Sequence, residues 1–149
     1  RLATQYGEAA APLLDIHADH DGAVLFIVKG EPGFCMASVG EWDQLKTEVM
    51  EWAQQVTWQE DPEEIPKYLH TAIAFGVIPG DSEKWLLITE GEHAGKIMLS
   101  DGDVIEDTPR YDSLAEFFAA LLCDPAQVLN CGGYIDYGDD LVPIAYRHD

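Results

Sequence analysis

The spacing of apolar residues predicts one long amphipathic helix near the middle of the chain. Between positions 42 and 56, apolar side chains recur at steps of three and four residues, which is the period of a single helix face. Glu41, Asp43, Lys46 and Glu51 fall off this stripe and are expected to face water. The stripe itself consists of Trp42, Leu45, Val49, Trp52, Ala53 and Val56.

Two further helices are indicated by the residues at their ends. Pro12 lies in the first turn of an apolar segment, and residues back to Tyr6 can extend this helix. Gly22 follows its end, where a left-handed cap costs little. Ser113 and Glu116 match a capping box at the start of another helix. The apolar face of that helix is formed by Leu114, Phe117, Phe118, Leu121 and Leu122.

Short apolar runs separated by turn residues predict the strands of a sheet. They lie at 23–28, 34–38, 71–78, 85–89, 96–99 and 141–146, and an Asp-Gly hairpin is expected at 99–104. Pro143 cannot donate to a neighbouring strand, so the last run is expected at a sheet edge. Because most connections are short, the strands are expected to pair antiparallel. The sequence therefore predicts a single α+β domain, with a mostly antiparallel sheet packed against helices.

Charge is the least ordinary feature of the composition. Asp and Glu number 28 against 8 Lys and Arg, which gives a formal net charge of −20 in 149 residues. Such a chain repels phosphate backbones and anionic lipid, so neither nucleic acid nor a membrane is an expected partner. No apolar run approaches the roughly 20 residues that span a bilayer. A basic protein is the complementary partner, although an acidic surface selected for solubility explains the same composition equally well.

No catalytic, metal or cofactor site is predicted from the motifs. His17 and His20 are spaced to share a helix face, and with Asp21 they offer metal ligands. A histidine near a helix C-terminus also complements the helix dipole, and this structural interpretation is favoured. The glycines at 91–96 are spaced too closely for a phosphate loop and are followed by a strand, so a hairpin connection is expected there. The odd cysteine count without a C-x-x-C pair favours reduced thiols and a cytoplasmic location; the cysteines are Cys35, Cys123 and Cys131.

The order of several short motifs resembles the SUKH superfamily, which includes bacterial toxin-immunity proteins and fungal regulators of cell-wall synthesis. The motifs are HDGAVLF at 20–26, SVGEW at 38–42, AIAFG at 72–76, WLLI at 85–88, GKI at 95–97 and SLAEFF at 113–118. The resemblance implies a SUKH-like core over about 12–122 with a C-terminal extension at 124–149. It implies no catalytic residue. The positions that look like fold determinants are Gly22, Trp42, Gly76, Gly95 and Phe117.

Together, the resemblance and the charge predict a non-catalytic protein-binding domain, an immunity protein that occludes a basic toxin domain. Two alternatives stay open: a regulatory or scaffolding protein, and a metal-dependent enzyme that uses His17 and His20. The candidate partner-binding residues are acidic side chains in a Pro-rich loop and beyond the expected hairpin. They are Glu60, Asp61, Glu63, Glu64, Asp101, Asp103, Glu106 and Asp107.

Overall fold

A single antiparallel sheet organises the protein. The computed structural model describes residues 2–28, 31–56, 65–79, 83–100, 106–129 and 142–143. Within these residues the sheet has six strands in the order β5-β4-β3-β2-β1-β6, and every neighbouring pair is antiparallel. The strands are β1 (Ala23–Val28), β2 (Glu31–Met36), β3 (Ile73–Val77), β4 (Lys84–Leu87), β5 (Ile97–Ser100) and β6 (Val142–Pro143). The expected antiparallel α+β arrangement is confirmed, and Pro143 lies in an edge strand.

Helices cover both faces of this sheet. The two longest are α3 and α5, and both begin where the sequence patterns place them. The described helices are α1 (Leu2–Tyr6), α2 (Ala11–Asp19), α3 (Trp42–Val56), α4 (Lys67–Thr71), α5 (Leu114–Cys123) and α6 (Pro125–Leu129). Short 3-10 turns at Glu8–Ala10 and Val39–Glu41 lead into α2 and α3.

Three segments differ from the sequence prediction. The second strand, expected at 34–38, spans Glu31–Met36 and so begins three residues earlier. The first helix does not run unbroken from Tyr6, because Gly7 adopts a positive φ of 80° and separates α1 from the turn before α2. The strand expected at 71–78 begins only at Ile73, since α4 extends to Thr71. The hairpin expected at 99–104 and most of the Pro-rich loop lie outside the described residues.

The sheet separates two hydrophobic cores. Phe75, Trp85 and Leu87 face α2 and α5, where Phe117 and Leu121 are fully buried. The alternate positions face α3 and α4 and are Ala74, Leu86, Ile88 and Met98. Because β3, β4 and β5 are buried on both faces, they are nearly continuous apolar runs rather than alternating ones.

Gly22 closes the corner between α2 and β1. Its φ is 97°, and a Cβ at this position would lie 3.3 Å from the carbonyl oxygen of Met36. Beside it, the carboxylate of Asp21 accepts a hydrogen bond of 2.8 Å from the backbone N–H of Val39. This bond ties the end of α2 to the turn that starts α3, and thereby fixes where α3 leaves the sheet.

Candidate partner-binding cleft and acidic surface

A cleft of about 440 Å³ opens where the start of α3 meets the end of α4. Tyr6 and Gly7 line one side of it, Trp42 and Lys46 of α3 another, and the turn after β4 contributes Glu90. The end of α4 contributes Thr71, so the lining comes from four separate parts of the chain. The cleft is therefore a product of the tertiary fold.

Lys46 is fixed in this cleft by the end of α4. Its Nζ donates hydrogen bonds of 2.7 Å to the carbonyl oxygen of His70 and 2.8 Å to that of Ala72. The intervening carbonyl, that of Thr71, accepts from the hydroxyl of Thr89 at 2.9 Å. These donors satisfy carbonyl groups that the end of a helix leaves without intrahelical partners. Lys46 is thus half-buried, and the expectation that it faces water is wrong.

Three polar groups in the cleft wall keep donor capacity. An ammonium carries three N–H groups, and Lys46 uses two of them on the carbonyls just described. Trp42 is 2% exposed, and its Nε1 is buried with no acceptor among the described residues. The hydroxyl of Thr71 is likewise buried with no partner in the described part of the chain. Buried donors of this kind are uncommon and are usually satisfied by water, an ion or a ligand.

Carboxylates lie at the mouth of the same cleft. Asp43 and Glu90 are both exposed and both line it. Burial lowers the pKa of Lys46, and the nearby Asp43 carboxylate partly opposes this effect. Burial, with a smaller contribution from Asp43, also raises the pKa of Tyr6. The Asp43 carboxylate therefore lies close enough to influence both Lys46 and Tyr6 electrostatically.

A second cleft of about 360 Å³ lies on the other side of Glu90. It is lined by Tyr68 of α4 and by His93 in the turn between β4 and β5. The hydroxyl of Tyr68 donates to the carbonyl oxygen of Glu106. Burial, followed by the charges of Glu106 and Asp107, raises the pKa of Tyr68 to about 12. Glu90 is thus shared by two adjoining clefts along α4.

Most cations of the described residues are held within the structure. Besides Lys46, Lys84 lies 3.6 Å from a carboxylate oxygen of Glu48, and Lys96 lies 3.8 Å from one of Asp112. Arg110 binds the carboxylate of Glu106 through two of its nitrogens. The acidic side chains are distributed differently, because most of them are exposed to solvent. Those exposed on the helices and the turns beside them include Glu8, Asp15, Asp19, Glu41, Asp43, Glu51, Glu90, Glu92, Glu116 and Asp124.

Two of the eight candidate partner-binding residues predicted from the sequence lie in the described part of the chain. Glu106 is half-buried and paired with Arg110, so it has a structural role in the segment before α5, whereas Asp107 is exposed. The other candidates lie outside the described residues; they are Glu60, Asp61, Glu63, Glu64, Asp101 and Asp103. Their proposed contact with a partner stays a prediction.

The histidines at the end of α2 have separate surroundings. His17 is buried, its Nδ1 lies 3.1 Å from a carboxylate oxygen of Asp21, and its ring stands edge-on to Trp42 at 5.1 Å. His20 is exposed. No group of three metal-ligating side chains occurs in the described parts of the chain. Cys35 lies away from the clefts described above, and burial raises the pKa of its thiol.

The sequence offered no local signal for the cleft. Lys46 occupies a polar position of the α3 pattern, and its acceptors lie 24 and 26 residues further along the chain.

Comparison with protein-family models, with curated proteins and with solved structures gives no match to this chain. Among the described residues, no helix combines the length and apolar character needed to cross a bilayer.

Proposed function

We propose that this domain is a non-catalytic protein-binding module that docks on a basic partner through its acidic surface. Following the resemblance to the SUKH superfamily, we propose that the partner is a toxin domain in the cytoplasm, which the bound protein blocks. The observation that carries the proposal is the asymmetry of the described surface. Most of its carboxylates face solvent, while four of its five described Lys and Arg side chains are engaged by carboxylates or carbonyl groups.

This asymmetry has a direct consequence for association. A net charge of −20 produces a negative field that attracts a basic surface before contact, and such steering raises association rates to about 10⁸–10⁹ M⁻¹s⁻¹ at low salt. At about 0.15 M salt the Debye length is only about 8 Å, so the attraction weakens strongly with ionic strength. Dissociation depends more on short-range contacts and should respond less to salt.

The test begins with the full chain immobilised at low salt and exposed to a lysate of its source organism. A retained protein is identified, purified, and measured for association and dissociation at ionic strengths from about 0.05 to about 0.5 M. We expect the association rate constant to fall by about tenfold or more over this range. A parallel series in sucrose is the control for solution effects that do not involve ions.

Two results would contradict the proposal at different levels. If the association rate constant does not change with ionic strength, the acidic surface does not steer the partner. If the purified partner binds with the expected salt response but does not arrest growth when it is expressed alone, the toxin assignment fails and the protein is a binding module of another kind. Growth arrest that co-expression of this chain relieves is the outcome expected of an immunity protein.

A further inference from the structure

The cleft at the start of α3 presents two kinds of unmatched polar group. The residues that line it carry donors without acceptors in the described chain, namely the third N–H of Lys46, the indole N–H of Trp42 and the hydroxyl of Thr71. Its mouth holds the exposed carboxylates of Asp43 and Glu90. A complementary ligand must therefore supply an acceptor for the wall and a cation for the mouth.

The negative charges at the mouth of the cleft indicate that the acceptor group of the ligand is uncharged. An anionic ligand would place a further negative charge beside Asp43 and Glu90 on a chain whose net charge is already −20. A neutral carbonyl oxygen satisfies the same donors without this repulsion. A peptide segment that carries a lysine or arginine supplies both groups, since its backbone provides carbonyls and its side chain provides the cation.

The size and construction of the cleft suit such a segment. Its volume of about 440 Å³ falls within the range of about 300–1,000 Å³ typical of ligand pockets. Lys46 is held in place by two backbone carbonyls, so little side-chain freedom is lost when a ligand binds. The ring of Tyr6 stands edge-on to Trp42 at 5.3 Å and belongs to α1, a five-residue helix that meets the rest of the chain through Gly7.

We infer that this cleft receives a lysine- or arginine-bearing segment of the partner. A backbone carbonyl of that segment accepts from Lys46, and its cationic side chain pairs with Asp43 and Glu90. The inference rests on the proposed function, because it locates within the acidic surface the place where one basic residue of the partner is recognised.

The test uses the full chain labelled with ¹⁵N and the probe N-acetyl-arginine N-methylamide, which combines peptide carbonyls with a guanidinium. We expect it to shift the indole resonance of Trp42 and the amide resonances around Lys46 and Glu90. The citrulline analogue has the same shape without the charge, and we expect it to bind at least about fivefold more weakly. The glutamate analogue, which tests for a carboxylate site, should give no shift at these residues.

Variants separate the cleft from the overall charge. Asp43→Asn combined with Glu90→Gln should weaken binding of the arginine probe by about tenfold. Asp15→Asn combined with Glu51→Gln removes the same charge from exposed helix positions outside the cleft and should change binding by less than about twofold. Equal loss in both double variants, equal binding of arginine and citrulline probes, or shifts confined to other surfaces would overturn the inference. Absence of any shift up to the solubility limit of the probe would do the same.

The same two double variants distinguish this inference from the proposed function. If a captured partner associates with the expected salt dependence and both double variants bind it equally well, the cleft is not the recognition site, while the acidic surface keeps its role. The opposite result is that only the Asp43 and Glu90 double variant loses the partner, while the association rate of the unaltered chain does not change with salt. The cleft is then still the recognition site, but electrostatic steering is rejected.

Discussion

Replacing Gly76 with alanine tests how closely the central strands are packed. Gly76 lies in β3, opposite Met36 of β2 and Trp85 of β4. A Cβ at this position would lie 2.7 Å from Cζ and 2.9 Å from Cε2 of Phe34, and 3.2 Å from Cβ of Trp85. Ordinary van der Waals contact begins at 3.4 Å. The added methyl group therefore forces either the ring of Phe34 or strand β3 to move.

The cost follows from how little room Phe34 has. Its side chain is fully buried, and its ring lies 6.0 Å from the ring of Phe117, which is itself in contact with other aromatic rings. Overpacking in such a core costs about 1–3 kcal/mol. Replacing glycine also restricts the unfolded chain, which offsets about 0.4–1 kcal/mol. We expect Gly76→Ala to lower the free energy of unfolding by about 1–2 kcal/mol.

Equilibrium unfolding in urea, followed by tryptophan fluorescence and circular dichroism, measures this change. Gly40→Ala is the matched control, because a Cβ at Gly40 meets nothing within 4 Å and its φ is not positive. It should change the free energy of unfolding by less than about 0.5 kcal/mol. Adding Phe34→Leu to Gly76→Ala makes room for the methyl group. The double variant should therefore be more stable, by about 1 kcal/mol, than the sum of the two single effects predicts.

Either of two outcomes would refute this packing argument. If Gly76→Ala unfolds at the same urea concentration and with the same slope as the unaltered protein, the ring moves aside at no cost. If the effects of Gly76→Ala and Phe34→Leu are strictly additive, the destabilisation comes from a source other than their contact.

Two further predictions concern pH. The folded-state pKa of Tyr68 is raised from 10.0 to about 12, so its contribution to stability is complete below pH 10 and is lost as pH rises towards 12. In urea unfolding across this pH range, Tyr68→Phe should lose less stability than the unaltered protein. If the free energy of unfolding falls equally with pH in both proteins, the raised pKa of Tyr68 is contradicted. The pKa of the Asp21 carboxyl group is lowered, chiefly because it accepts a hydrogen bond from the backbone N–H of Val39. The contribution of this carboxylate to the stability of the fold is therefore complete above about pH 4 and is lost as pH falls through the folded-state pKa. Asp21→Asn should therefore lose less stability between pH 7 and pH 3, and an equal loss would show that this bond does not depend on the charge.

Helix periodicity predicted the helices better than it predicted their surroundings. Trp42, Val49 and Ala53 belong to one stripe in the sequence, and α3 forms as this stripe requires. In the structure Trp42 joins the core on the α5 side of the sheet, whereas Val49 and Ala53 join the core on the other side. An apolar stripe in the sequence predicts which side chains of a helix are buried, but it does not predict which residues they pack against.

Short elements were the ones that the sequence did not reveal. Helix α4 has five residues, too few to show a helical period or to be stable in isolation. It forms because Leu69 is buried beneath α3 and because Lys46 binds the carbonyls at its end. The strand predicted from 71 starts later for the same reason.

The sequence alone determined the long helices, the succession of strands along the chain and their antiparallel pairing, because these depend on local periodicity, turn residues and short connections. The order of the strands in the sheet, with β6 beside β1, was decided by the tertiary structure. The sequence also determined the acidic character of the surface, since there are too few cations to pair with the carboxylates. Only the tertiary structure decided that Tyr6, Lys46, Thr71 and Glu90 line one cleft. These residues are distant along the chain, and they meet because burial of two cores fixes the helices on opposite faces of the sheet.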